Sequence, residues 1–295
     1  MQKTNQVLTR AQSDKYDDIR ATYADIEREV SNYADQLRDK IILCNCGDDV
    51  RTSAFATYFH SNFDRFGLKA LGCISYEPEG HGVMYFFEKG YRHWKKRVLA
   101  GTGDFQSEEC ISYLKKADIV VTSPTRKLFH EYMAQLFLFQ KKFLIIANLN
   151  SVTFTDIFGK FRLGKIRFGY TVPKHFFLGN GDPVSYGNLA WYTNLNVRKR
   201  KKKLVLRGSY SVGSILGKYP KLDGINIIFV ESVNDIPYDY DGLMAVPINY
   251  LLIHNSDQFT IVGEVNHGRD DPFDICVPKL NESLTFKRIV IRANK

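Results

Sequence analysis

Ser123-Pro124-Thr125-Arg126 closes an apolar, β-branched run, Ile119-Val120-Val121-Thr122. Such a run, ending at a polar residue and a proline, reads as a buried strand that stops at a ligand edge. Ser123 brings a hydroxyl that accepts a hydrogen bond, Thr125 a main-chain carbonyl, and Arg126 a planar cation that can stack. In open α/β sheets, ligands bind in the crevice beyond the strand C-termini. Gly103-Asp104-Phe105 stands one helix-length earlier.

Other chemistry finds less support. Cys44-x-Cys46 has no second cysteine pair or histidine at zinc-ligand spacing, so strand packing explains it better than metal, and no metal is expected. His81, His93, His130 and His267 lie apart and show no nucleophile signature. No Gly-x-x-x-x-Gly-Lys-Ser/Thr phosphate loop is present. Arg92-His93-Trp94-Lys95-Lys96-Arg97 mixes aromatic and basic residues. It reads either as a nucleic-acid face or as a hairpin strand that buries Trp94.

Six of the nine net positive charges sit in one run: Arg198, Lys199, Arg200, Lys201, Lys202 and Lys203. Such a run suggests a polyanion contact at one place, because phosphate backbones reward clustered cations through counterion release. A solvated loop between two strands is the plainer reading.

The elements that must position these residues alternate. Lys40–Cys46 is a predicted strand, Ser53–Phe66 a helix, and Leu68–Ser75 a strand. Val83–Phe87 and Tyr91–Leu99 form a hairpin, and Ser107–Lys116 a helix with Ser107 in the capping position. The Ile119–Thr122 strand, a Lys127–Phe139 helix and a Phe143–Asn148 strand follow. This βαβ alternation predicts one parallel sheet with helices on both faces, a Rossmann-like α/β architecture. After about residue 160 the pattern turns to short β-prone pieces: Ile166–Tyr170, Asn188–Asn194, Leu204–Tyr210, Ile225–Val230, Phe259–Val262 and Ile289–Ile291. Three parts are expected: an N-terminal helical or extended segment, 1–34; a cofactor and catalytic half, 35–165; and a strand-rich half, 166–295, that completes the sheet and contacts DNA or a protein partner.

With 295 residues, 44% hydrophobic and 14% aromatic, the chain can bury a full core. No apolar run approaches the ~20 residues of a membrane span. Residues 1–33 are polar and mixed in charge, unlike a signal or transit peptide. Five scattered cysteines, three of them in apolar segments, fit free thiols in a reducing cytoplasm.

Over some 250 residues the chain resembles the EcoRI-type adenine-specific DNA methyltransferases. The resemblance is carried, in order, by Cys44-Asn45-Cys46 with Asp48 and Asp49, Tyr58-Phe59 through Gly67-Leu68-Lys69, and Gly103-Asp104-Phe105. Ala117–Thr122, Lys142–Asn148, Gly187–Asn194, Ile236–Gly242 and Asp257-Gln258-Phe259 continue it. It implies a class I fold that uses S-adenosylmethionine, and a setting in restriction-modification. By the same resemblance, Asn45, Cys46, Asp48 and Asp49 lie where the cofactor's methionine part binds, and carboxylates there suit an ammonium group. Tyr76 and Glu77 close the second strand, where such folds bind ribose hydroxyls. Asp104 and Phe105 match the piece that contacts the cofactor adenine. Each has a plainer role beside it: Asp48 as a helix cap, Asp104 as a cap for the Ser107 helix, and Phe105 as core.

The departures are local. The family's tetrad is Asn-Pro-Pro-Phe, whose amide oxygen and a proline carbonyl accept from the target amine while the ring stacks on the extrahelical base. Here Ser123 replaces Asn, Thr125 the second Pro, and Arg126 the Phe; Pro124 alone is kept. Asp17-Asp18-Ile19-Arg20-Ala21-Thr22 lacks the family's aromatic–Thr pair, and the Gly47-Asp48-Asp49-Val50 turn is a residue longer and lacks the following Pro. These changes fit a methyltransferase homologue whose transfer to adenine N6 is weak or lost, a pseudo-enzyme in the limit. Two other readings stand beside it: a non-catalytic protein of this fold that binds DNA, cofactor or a protein partner, and a transferase or hydrolase using the crevice on another substrate.

Overall fold

Four runs rich in Ile, Leu and Val become four adjacent parallel strands. A computed structural model describes residues 19–47, 50–178, 183–185, 188–197, 203–266 and 274–294. The chain divides into two compact units, residues 1–148 with 167–197, and residues 149–166 with 198–295.

The strands of the first unit are β1 (Ile19–Ala21), β2 (Ile41–Gly47), β3 (Ala70–Ser75), β4 (Val83–Glu88), β5 (Lys95–Val98), β6 (Ile119–Thr122), β7 (Lys142–Asn148), β8 (Arg167–Phe168), β9 (His175–Leu178), β10 (Pro183–Ser185) and β11 (Leu189–Thr193). Eight of them form one sheet in the order β5-β4-β3-β2-β6-β7-β11-β8. β3, β2, β6 and β7 run parallel, as the sequence pattern predicts. The β4–β5 hairpin extends one side antiparallel, and β11 with β8 completes the other. β1, β9 and β10 make a small antiparallel sheet.

Both faces of the parallel strands are buried, which is why they read as continuous apolar runs rather than alternating ones. On one face Ile42, Cys44, Leu71, Cys73, Ile119, Val121, Leu144 and Ile146 join Phe55, Tyr58, Phe59, Phe63, Phe66 and Trp191 in a single core. Leu43, Val120, Phe143 and Ile145 are buried on the other.

The predicted Ser53–Phe66 helix is two pieces, Ala54–Ser61 and Phe63–Phe66. Asn62 breaks it: its Nδ2 donates to Tyr58 O at 3.0 Å and to Tyr23 Oη at 3.1 Å, and Arg65 donates to its Oδ1 at 3.2 Å. A short amide side chain competes here with the helical ladder. The second hairpin strand is shorter than predicted, Lys95–Val98, because Gly90 turns at φ 93° and Trp94 packs inward before pairing begins.

The strands of the second unit are β12 (Ile227–Phe229), β13 (Leu243–Pro247), β14 (Phe259–Val265), β15 (Lys279–Leu280), β16 (Ser283–Leu284) and β17 (Arg288–Ala293). A mixed sheet runs β12-β13-β17-β14, and β15 with β16 forms a small hairpin. Leu204–Tyr210, predicted as a strand, is not one. Gly208 makes a single bridge to Pro237, with Asp235 O so close that a Cβ on Gly208 would lie 2.7 Å from it. Ser209 then caps a short helix, Tyr210–Ile215. A helix at Thr155–Arg162 went unread in the sequence.

Candidate active site

Because β2, β3 and β6 are parallel and in register, Ile42 opposite Ile119 and Cys44 opposite Cys73, they end at one edge of the sheet. Buried Thr122, the last residue of β6, donates its hydroxyl to the main-chain carbonyl of Asn45 near the end of β2. One hydrogen bond thus joins the strand that leads into the tetrad to the strand that carries the candidate methionine subsite.

Asn45 is half-buried in β2, and its Oδ1 is enclosed with no hydrogen-bond partner among the described residues. An enclosed acceptor without a donor costs free energy unless a ligand satisfies it. Cys46 follows in the same strand. Asp48 and Asp49 lie outside the described residues.

Tyr76 and Glu77 leave β3 directly and are both exposed. Glu77 N donates to Thr102 O at 2.8 Å, and Gly82 N to Gly101 O at 2.9 Å, so the loop entering Gly103-Asp104-Phe105 lies against the end of β3. The approach depends on glycine. A Cβ on Gly103 would sit 2.2 Å from Ser75 O, one on Gly82 2.7 Å from the same oxygen, and Gly103 has φ +85°.

Asp104 is exposed; its Oδ1 accepts from Gln106 N at 2.9 Å. The cap of the Glu108–Lys116 helix is Ser107, whose Oγ accepts from Cys110 N at 3.2 Å. The Phe105 ring is half-buried, 4.9 Å from that of Tyr132, and Gln135 Nε2 donates to Phe105 O at 3.0 Å. Tyr132 and Gln135 belong to the Phe129–Leu138 helix that follows the tetrad, so this helix couples Phe105 to the end of β6. Neither residue carries a sequence signal; only the turn glycines do.

Within the tetrad, Ser123 and Pro124 are half-buried, and Thr125 and Arg126 are exposed. Ser123 Oγ donates to Ile146 O of β7 at 3.4 Å. Thr125 O accepts from Leu128 N at 3.1 Å in the turn before the helix. Thr125 O is therefore already engaged as an acceptor within the protein, whereas Ser123 Oγ commits its proton to Ile146 O and keeps its lone pairs.

Of the basic run, Arg198, Lys199, Arg200, Lys201 and Lys202 lie outside the described residues; Lys203 is exposed. No group of three or more His, Cys, Asp or Glu gathers as a metal site among the described residues, and no helix there is long and apolar enough to cross a membrane.

The sequence reading missed two carboxylates. Asp25 and Glu29, on the Tyr23–Val30 helix, are fully buried. Glu29 accepts from Tyr33 Oη at 2.7 Å, Tyr170 N at 2.8 Å, and Thr171 N and Oγ1 at 2.7 Å each. Asp25 Oδ2 accepts from His175 N at 2.7 Å and Lys174 N at 3.1 Å, and Arg28 pairs with its other oxygen. Burial raises the pKa of Glu29 against the pull of its hydrogen bonds. These carboxylates fasten the helix after β1 to the segment leading into β9.

The family model described as Adenine-specific methyltransferase EcoRI matches residues 7–96 and 87–293. The Escherichia coli Type II methyltransferase M.EcoRI is 39% identical over 295 residues, 88% of this chain and 89% of its own length. Type II methyltransferases of Mycoplasma genitalium and Mycoplasma pneumoniae are 34% and 31% identical over 274 residues, each covering 86% of this chain and 85% and 84% of their own lengths. No solved structure matches the chain significantly.

Proposed function

The chain belongs to the EcoRI-type family of adenine-specific methyltransferases, and from that premise we propose that it takes S-adenosylmethionine at the β2–β3 edge and duplex DNA at the crevice, with transfer to adenine N6 weak or lost. The residues present fit the cofactor. Asn45 Oδ1 is an enclosed acceptor awaiting a donor, as an ammonium group would supply. Exposed Glu77 and Asp104 stand at the neighbouring strand end and loop, with carboxylates suited to hydroxyl and amine donors. When bound, the cofactor supplies an electrophilic methyl group on a sulfonium sulfur.

The observation that carries the weak-transfer reading is the tetrad itself. An adenine amine needs acceptors that tighten as its nitrogen becomes pyramidal, and a flat partner for the extruded base. Ser123 offers one hydroxyl, which donates to Ile146 O and keeps lone pairs that can accept, without the reach of an amide. Arg126 keeps a planar group but brings a charge to the crevice. Losing one positioned contact commonly costs ~10²–10³ in rate, and two are altered here.

Calorimetric titration of the full chain with S-adenosylmethionine, beside labelled methyl incorporation into mixed-sequence duplex DNA, tests the proposal. Saturable binding weakened by Asn45→Leu, with incorporation near background, is expected. Absence of binding contradicts the cofactor assignment, and robust incorporation contradicts the weak-transfer reading.

A further inference from the structure

The β4–β5 hairpin forms a basic rim on the lateral edge of the large sheet. Among the described residues β5 has one partner strand, β4, and all four of its residues are exposed. Lys89, Arg92, Lys95, Lys96 and Arg97 place five exposed cations within nine residues. None of the five pairs with a carboxylate among the described residues. The rim is anchored: the Trp94 ring stacks on His60 at 5.1 Å and packs on Phe87 at 5.8 Å, and Phe87 packs on Phe63 at 4.9 Å. Lys95 Nζ lies 5.8 Å from the centre of the Tyr91 ring.

Lysines commonly guard an exposed strand edge against pairing with another chain. That explains part of β5 but not Lys89 and Arg92, which stand in the turn and protect no edge. Unpaired cations held on a rigid element instead suit a polyanion of regular spacing.

We propose that this rim is a second contact for duplex DNA, gripping the phosphate backbone of DNA that flanks the target. The inference rests on the reading that duplex DNA occupies the crevice. β5 lies four strand spacings from β6, the strand that carries the tetrad. At ~4.8 Å per spacing that is about 19 Å, or about six base pairs at a rise of ~3.4 Å. One continuous duplex therefore reaches the rim only when it extends at least about six base pairs beyond the target on that side. β5 runs toward the crevice edge, since Val98 pairs with Val83 and Val83 with Ser75. The cations thus climb the side of the sheet toward the site, and the grip supplies affinity without reading bases.

The test measures affinity of the full chain for duplexes of about 10 and about 24 base pairs sharing one central sequence, across a salt series. Each phosphate contact adds ~0.9 to the slope of log affinity against log salt. Neutralising Lys95→Gln, Lys96→Gln and Arg97→Gln together is expected to lower the slope on the long duplex by about 2–3. The slope on the short duplex stays unchanged. Arg92→Gln alone, outside the strand, lowers the long-duplex slope by about one and covers any folding defect of the triple variant. Equal slopes for wild type on both lengths overturn the rim while leaving DNA binding at the crevice standing. So does a triple variant that keeps the long-duplex slope, or an equal fall when Lys115 and Lys116, exposed in the last turn of the Glu108–Lys116 helix, are both changed to Gln. Wild type with no duplex affinity at any salt overturns the DNA reading and the rim together.

Discussion

The hydroxyl of Thr122 donates to the main-chain carbonyl of Asn45, so the strand that feeds the tetrad and the strand that carries Asn45 are held at one level. Thr122 is buried, and valine in its place keeps the shape but leaves the carbonyl without this donor. Thr122→Val is expected to destabilise the protein by about 1–3 kcal/mol, the cost of an orphaned buried acceptor. A fall in the urea midpoint at unchanged slope checks it. S-adenosylmethionine affinity should fall with it, because Asn45 loses its lateral support. An unchanged midpoint would show that the bond contributes nothing.

Gly103 makes a second demand on the same edge. A Cβ there meets Ser75 O at 2.2 Å, and φ +85° strains any other residue. Gly103→Ala is expected to push the Asp104-Phe105 loop off the end of β3, costing about 1–3 kcal/mol in strain and most of the cofactor affinity. Gly90→Ala, also at positive φ but with nothing within 4 Å, should bear only the conformational part. If thermal melting and titration find the two variants equally mild, the close packing of the loop on Ser75 is unimportant.

Glu29 predicts a pH dependence. Burial raises its pKa above the ordinary 4.5, so the native state takes up a proton at a pH where the unfolded chain has lost it. The sign follows from linkage: the stability that this group contributes is complete below about pH 4.5 and is lost as pH rises through the raised value. Glu29→Gln removes that titration and sets an amide nitrogen against the N–H groups of Tyr170 and Thr171. The variant should be less stable at every pH, by about 1–3 kcal/mol per orphaned donor. Its deficit should be largest near pH 4 and shrink toward pH 7. Urea unfolding across that range checks the sign, and a deficit that widens with pH would refute it.

The parallel strands were legible because burial on both faces leaves an unbroken apolar run, as in Phe143–Ile146 and Ile119–Val121. Helix ends were less so. Asn62 breaks a helix through contacts with Tyr23 and Arg65, and the first of these partners is 39 residues away. Leu204–Tyr210 has strand composition, but the close approach of Asp235 to Gly208 and the cap at Ser209 decide otherwise. Within the candidate site, motif residues such as Asn45 and Asp104 could be named through the family resemblance. The supports could not. Thr122 reads as one more β-branched residue, Tyr132 and Gln135 as an ordinary helix face, and Asp25 and Glu29 as solvent-facing charges, until folding brings their partners to them.

The central claim is that transfer is limited by the tetrad on an otherwise intact scaffold. The direct measurement writes Asn-Pro-Pro-Phe into the four positions, Ser123→Asn, Thr125→Pro and Arg126→Phe with Pro124 kept, and follows labelled methyl incorporation into mixed-sequence duplex DNA beside wild type. Two restored transition-state contacts, at ~10²–10³ each, predict a gain of about 10⁴ or more over a near-background wild type. High wild-type incorporation that falls in the rewritten protein would contradict the account, as would a rewritten protein that binds cofactor and DNA yet transfers nothing.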